Sequence, residues 1–158
     1  MPVFFLLYKS GFSSLFLLFL LQTTSYLMSH LEITKETDHN GFRLTIRPDG
    51  IMQISLQSNY KLTLADAEAM VKLFGEMGNG KKFLLLFLPG ADTSVATEAR
   101  YYASGQEANK YTIASAFVVK TIAQKLLGNA YVTFNKPITP TRIFTDETEA
   151  VKWLKAIG

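Results

Sequence analysis

The sequence predicts an α/β domain: a mixed β-sheet opened by an antiparallel meander and layered with about four helices. Three observations predict it. Two neighbouring stretches, residues 42–47 and 52–57, alternate apolar and polar side chains, which is the period of half-buried strands. The run FLLLFL at Phe83–Leu88 is apolar without alternation, as expected of a central strand covered on both faces. From there to residue 154, helical stripes and short apolar runs take turns, the pattern of a sheet built from αβ units.

The elements follow in order. Residues 31–35 and 42–47 are expected to pair around the turn Asp38-His39-Asn40-Gly41, where Asn-Gly supplies the positive φ of a tight hairpin. Pro48-Asp49-Gly50 makes the next turn, and Met52, Ile54 and Leu56 face one side of a third strand. Thr63 and Asp66 have capping-box spacing. The stripe Ala67, Met70, Val71, Phe74 follows on a helix predicted to end near Gly78. A second helix is expected between the cap candidates Asp92, Thr93 and Ser94 and the stop Gly105. Residues 116–119 form a short strand. Ile122, Ala123, Leu126, Leu127, Ala130, Tyr131 and Phe134 keep helical spacing, so one helix is predicted over residues 120–134, with a strand at 131–134 as the rival. Gly128 and Asn129 fall on the face opposite that stripe. Pro137 and Pro140 stiffen a loop, residues 141–144 form a strand, and Thr145 caps a last helix. The acids in that helix's first turns suit its dipole. Its stripe of Ala150, Trp153, Leu154 and Ile157 is expected to be buried.

Length and composition bound the function. A chain of 158 residues, 48% hydrophobic, holds one domain with a sizeable core. The net charge of +3 is mild and the basic residues are scattered, so no nucleic-acid partner is expected. With no cysteine there is no disulfide, thiolate nucleophile or thiolate metal site. Residues 1–28 differ from the rest: they are apolar, and Lys9 is their only charged residue. Three readings stand side by side. They form a signal peptide, a short membrane anchor, or a stretch upstream of a true start at Met28. The domain itself is assigned to residues 29–158. It is cytoplasmic if the leader is an artefact, and membrane-associated or exported if it is real.

Few motifs carry chemistry. Gly75 to Lys81 matches G-x-x-x-x-G-K, but Lys82 stands where a phosphate loop needs Ser or Thr. The glycines also close a helix rather than open one, so the stretch reads as a helix end and turn. His30 and His39 lack a third ligand at metal spacing, and no nucleophile elbow occurs. No catalytic residue, metal or cofactor is therefore predicted. The loop Pro89-Gly90-Ala91-Asp92-Thr93-Ser94 leaves the carboxyl end of the expected central strand, where open α/β sheets place ligands and switches. A phosphate on Thr93 or Ser94 would sit at a helix N-terminus, which favours negative charge. Tyr101, Tyr102, Tyr111 and Tyr131, with Phe117 and Phe134, are candidates to line a lipophilic cavity, or else belong to a plain core.

Several stretches carry a family resemblance: Glu98-Ala99-Arg100, Ala114-Ser115-Ala116-Phe117-Val118-Val119, Leu127-Gly128-Asn129, Asn135-Lys136-Pro137, Pro140-Thr141-Arg142-Ile143-Phe144 and Glu149-Ala150-Val151-Lys152-Trp153-Leu154. The chain thereby resembles a Bacteroidetes-type group of small proteins in the STAS and SEC14-like superfamily, often left as a domain of unknown function. The resemblance implies a STAS-like fold. STAS proteins of the anti-sigma-factor-antagonist type are non-enzymatic switches that bind a kinase and are silenced by phosphorylation of a serine after the central strand. This implies Asp92, Thr93 and Ser94 as the switch loop. Pro89, Gly90, Tyr101 and Tyr102 would form the surface for a partner, kinase-like or sensor, or for a ligand. The usual Asp-Ser-Ser-Gly context reads Asp92-Thr93-Ser94-Val95 here. SEC14-like relatives imply the alternative, a carrier or sensor of a lipophilic small molecule.

Overall fold

The structure, a computed structural model, describes Gln22 and residues 35–158. The three readings of residues 1–28 and the expected strand residues 31–34 lie outside the described residues. Strands β1 (Lys35–His39), β2 (Phe42–Ile46) and β3 (Met52–Leu56) form the antiparallel meander. The first hairpin is tighter than the four-residue turn expected. Asp38 and His39 stay in β1, His39 faces Phe42, and Asn40 alone supplies the positive φ, at 43°.

The chain then adds parallel strands: β5 (Phe83–Leu88) beside β3, β7 (Thr112–Val118) beside β5, and β8 (Thr141–Phe144) beside β7. The six-stranded order is β1-β2-β3-β5-β7-β8. Two short strands, β4 (Lys61–Leu62) and β6 (Ser94–Val95), pair with each other apart from this sheet. Residues 35–158 hold four α-helices: α1 (Leu64–Gly78), α2 (Thr97–Ser104), α3 (Ile122–Ala130), which runs into a π turn at Tyr131–Asn135, and α4 (Glu147–Ile157).

The non-alternating run of β5 has the physical cause expected of it. Leu85 and Phe87 point into one core, with Phe42, Leu44, Met52, Ile54 and the α1 residues Ala67, Met70, Phe74 and Met77. Leu84, Leu86 and Leu88 point into the other, with Ala114, Ala116, Val118 and the α4 residues Ala150 and Leu154. The alanines of β7 leave room for α4 to lie close to the sheet. The buried stripe of α4 is narrower than predicted. Ala150 and Leu154 are fully buried, Trp153 is half-buried against Phe144, and Ile157 is exposed.

Helix ends follow local chemistry. Thr63 accepts from the Asp66 backbone N–H (3.3 Å), while the Asp66 carboxylate accepts from the Thr63 N–H (2.8 Å) and hydroxyl (2.7 Å). This is the predicted capping box. Asn79 in the left-handed region closes α1, donating to the Gly75 carbonyl, so the phosphate-loop look-alike is a helix end and turn. The cap of α4 is Asp146, not Thr145: its carboxylate accepts from the Glu149 N–H at 2.9 Å. A carboxylate one residue later reaches the same orphan donors and adds negative charge at the dipole's positive end.

Asp66 also makes stability pH-dependent. Burial pushes its carboxyl up, but hydrogen bonds from Thr63, Tyr60 and Asn40 outweigh this and hold it below the ordinary value. A lowered folded-state pKa stabilises above the unfolded value of about 3.9 and loses that stabilisation as pH falls through the folded value. Asp66→Ala is expected to cost about 1–2 kcal/mol at neutral pH. In denaturant titrations the gap to wild type should narrow below about pH 4. A gap constant down to pH 2 would remove the carboxylate from this role.

Candidate functional site

Between the sheet and helices α1, α2 and α3 lies a cavity of about 330 Å³. Its sheet wall is built from Leu85 and Phe87 on β5, Thr112, Ser115 and Phe117 on β7, and Thr141 and Ile143 on β8. Met70, Val71 and Phe74 of α1, Ala99, Tyr102 and Ala103 of α2, and Gln124, Leu127 and Gly128 of α3 form the other side, with Tyr131 at the π turn. The volume lies at the lower end of small-molecule sites, roughly 300–1,000 Å³.

An aromatic ladder crosses the cavity. Phe87 and Phe117 stack with centroids 4.6 Å apart, and Tyr131 meets Phe117 edge-on at 6.1 Å. Burial pushes the Tyr131 hydroxyl up to about 12, so it stays protonated across the physiological range.

Five polar side chains in the lining are committed to protein partners. The amide of Asn109 donates to the Ala103 and Gly105 carbonyls (2.8 and 2.7 Å) and accepts from the Thr139 hydroxyl (2.9 Å). Thr141 donates to the Thr139 carbonyl, and Thr93 and Gln124 both donate to the Gly90 carbonyl. Arg100 reaches Thr97. Among the described residues, no group of three or more His, Cys, Asp or Glu is placed to hold a metal ion.

The predicted stripe of α3 divides. Ile122 and Phe134 are each 81% exposed and Leu126 is 65% exposed, against expectation. Leu127 and Tyr131 face the cavity as expected, joined by Gln124 and Gly128 from outside the stripe. The cause is Gly128: a Cβ there would lie 2.8 Å from Ile143 Cδ1, so a glycine lets the helix sit close to β8 on that side. One continuous helical segment is observed and not the rival strand, with its end widened into a π turn, a feature frequent near functional sites. Ile122→Lys and Phe134→Lys should each change stability by no more than about 0.5 kcal/mol. A loss of several kcal/mol in chemical denaturation would restore the buried stripe.

The predicted site residues separate. Pro89, Thr93, Ser94 and Tyr102 edge or line the cavity, as do Phe117 and Tyr131. Tyr101 is 68% exposed, outside the lining, and Phe134 also faces outward. Tyr111 lies against Gly75 on α1, in a separate shallow pocket. Asp92, Thr93 and Ser94 do not cap α2, whose cap is Ala96 with no side-chain hydrogen bond. The Tyr60 and Leu62 carbonyls accept from the Ser94 and Ala96 N–H groups (3.0 and 2.9 Å), drawing Ser94 and Val95 into β6 and delaying the helix to Thr97. Ser94 therefore stands exposed on an extended segment, not at a helix N-terminus. Asp92 is exposed with φ 53°. Thr112, which no sequence motif marks, also lines the cavity.

Among the described residues, no helix is long and apolar enough to cross a membrane. A crystal structure of an uncharacterized protein of the DUF3478 family with a SpoIIAA-like fold, from Shewanella loihica PV-4, superposes with a TM-score of 0.55 at 19% identity. The match covers 75% of this chain and 97% of that one, so the fold is the STAS type that the resemblance implied. No curated protein matches. Residues 44–158 match the model of a domain of unknown function, DUF7793, and the chain belongs to that family.

Proposed function

We propose that this domain is a non-catalytic binder, a carrier or sensor, of a lipophilic small molecule. The cavity of about 330 Å³ beside the sheet, walled by aromatic and aliphatic side chains, carries this reading. Apolar surface held around a void loses dispersion contacts that a ligand restores. The lining chemistry agrees with binding rather than turnover. Its one Lys, Arg, Asp or Glu is Arg100, and an arginine alone supplies no acid–base pair. Native mass spectrometry of the purified chain should detect a co-purifying apolar mass, and a solvatochromic lipophilic dye should bind and be displaced by it. Ala103→Phe, which fills the cavity from α2, should abolish both signals. A ligand-free spectrum with no dye uptake would defeat the reading.

A second reading is a regulatory module that binds a kinase-like or sensor protein through the Pro89–Ser94 loop and is switched by phosphate. Ser94 is exposed while the Thr93 hydroxyl is engaged by Gly90, which favours Ser94 as the acceptor. A host protein retained by wild type and lost from Ser94→Asp would support it. Equal retention would take the loop out of the mechanism.

A further inference from the structure

A single cation stands in the wall of an apolar cavity. Arg100 on α2 is half-buried, and among the described residues it makes no ion pair. Its Nη2 donates to the Thr97 hydroxyl at 3.1 Å, a neutral acceptor that leaves the guanidinium charge unmatched. The place of that charge follows from which lining residues meet water. Ser94 and Val95 on β6 and Leu127 on α3 are the exposed members of the lining, so the cavity opens between these two elements. Arg100 turns back to Thr97, just after Val95, so its charge lies on the β6 side of this mouth. Phe74, Leu85 and Ala99 line the interior and are buried. An arginine lays its stem along apolar surface and keeps its head wet. The cavity is therefore apolar within and cationic at its opening.

Building on the ligand-binding reading above, we propose that the cavity takes an anionic amphiphile, its tail in the apolar interior and its carboxylate or phosphate head paired with Arg100 at the mouth. A planar guanidinium presents parallel N–H donors that match the oxygens of either anion. The other side of the mouth carries the same sign. Residues 108–145, which include α3, hold five basic residues and no acid. Lys125 among them is exposed beside Gln124 of the lining. The carboxylates near β6, Asp92 and Glu98, are exposed, and neither pairs with Arg100. A head at the mouth stays partly in water, so it escapes most of the cost of burying a charge. The same head carried inward would be buried without a counter-ion. An ammonium head would meet Arg100 as a like charge.

The test uses the full chain and four probes that share one tail: decanoate, decyl phosphate, decanol and decyltrimethylammonium. Each is titrated below its micelle-forming concentration by displacement of a bound lipophilic dye. At least one of the two anions is expected to bind about tenfold more tightly than decanol, the weight of one charge-assisted pair at a half-exposed site. The tighter of the two names the head. Decyltrimethylammonium should bind more weakly than decanol, and added salt should shrink the advantage of the anions. Arg100→Gln should erase that advantage and leave decanol binding within about twofold, which also reports that the variant is folded. Arg100→Lys should keep part of it. Decanol binding as tightly as both anions, the ammonium probe binding tightest, or an anion advantage that survives in Arg100→Gln would each overturn the head-group assignment while leaving a lipophile site intact. No uptake of dye or of any probe would overturn the ligand-binding reading itself, and the assignment with it.

Discussion

Leu154→Ala is expected to destabilise the domain by about 2–5 kcal/mol, the range for truncating a fully buried leucine. Leu154 has no exposed surface and packs with Leu86, Ala114, Ala116 and Ala150, in the core on the α4 side of the sheet. That side is covered by α4, so no second helix can settle into the space the leucine leaves. Three of the cluster's residues are alanines, whose short side chains cannot move to fill a void, while larger members such as Ile51, Val118 and Phe144 can relax into part of it. Guanidinium unfolding would read it as a lower midpoint with an unchanged slope. A loss below about 1 kcal/mol would mean that α4 packs loosely. The cavity lies on the other face, so dye binding by the folded variant should match wild type.

Gly90→Ala is expected to cost about 1–3 kcal/mol, through overpacking against backbone. A Cβ on Gly90 would lie 2.6 Å from the Leu56 carbonyl oxygen and 2.6 Å from the Ser58 nitrogen. Neither atom can rotate away as a side chain would. The segment after β5 is tied to the segment after β3 by the Asn59 N–H on the Ala91 carbonyl (2.7 Å), and by the Ala91 N–H on the Ser58 hydroxyl (3.2 Å). Relief of the clash must pull these bonds apart. The Gly90 carbonyl also accepts from Gln124 on α3 at 2.9 Å, joining the loop to a helix that lines the cavity. The variant should therefore lose dye affinity as well as stability, which Leu154→Ala should not. Unchanged stability would mean that the two segments separate freely. Unchanged dye binding in a destabilised variant would mean that the Gln124 bond does not hold α3.

The two variants divide the molecule into a dry core and a lined void, and sequence legibility divides along the same line. The meander, the central strand and the box at Thr63 and Asp66 were all readable, because each depends on neighbours in the chain. Alternation sets a strand face, two-sided burial sets FLLLFL, and a cap is closed within three residues. Shifts of one or two residues at hairpin and cap, to Asn40 and Asp146, came from local competition between equally able residues.

The site was less legible. Periodicity gave α3 two faces but not their orientation, and hydrophobicity pointed the wrong way for Ile122, Leu126 and Phe134. Contact with Ile143 is allowed by a missing side chain at Gly128, and absence of bulk carries no apolar signal. Ser94 was read as a helix start because the pull of the Tyr60 and Leu62 carbonyls, more than thirty residues earlier, is invisible in the local sequence.

Chain order and side-chain pattern alone were enough to specify a mixed sheet with a meander at one edge, its central strand and its helix boundaries to within a few residues. Those properties arise from interactions a few residues apart. Whether apolar side chains meet or leave a void between them, and which face of α3 looks inward, came from the three-dimensional packing. Leu, Phe and Met look alike in sequence whether they fill a core or surround a cavity. The bulge that places Thr112 in the wall of that cavity, where pairing steps from Phe83 and Thr112 to Leu84 and Ala114, exists only in the register between β5 and β7, where two strands separated by a helix meet.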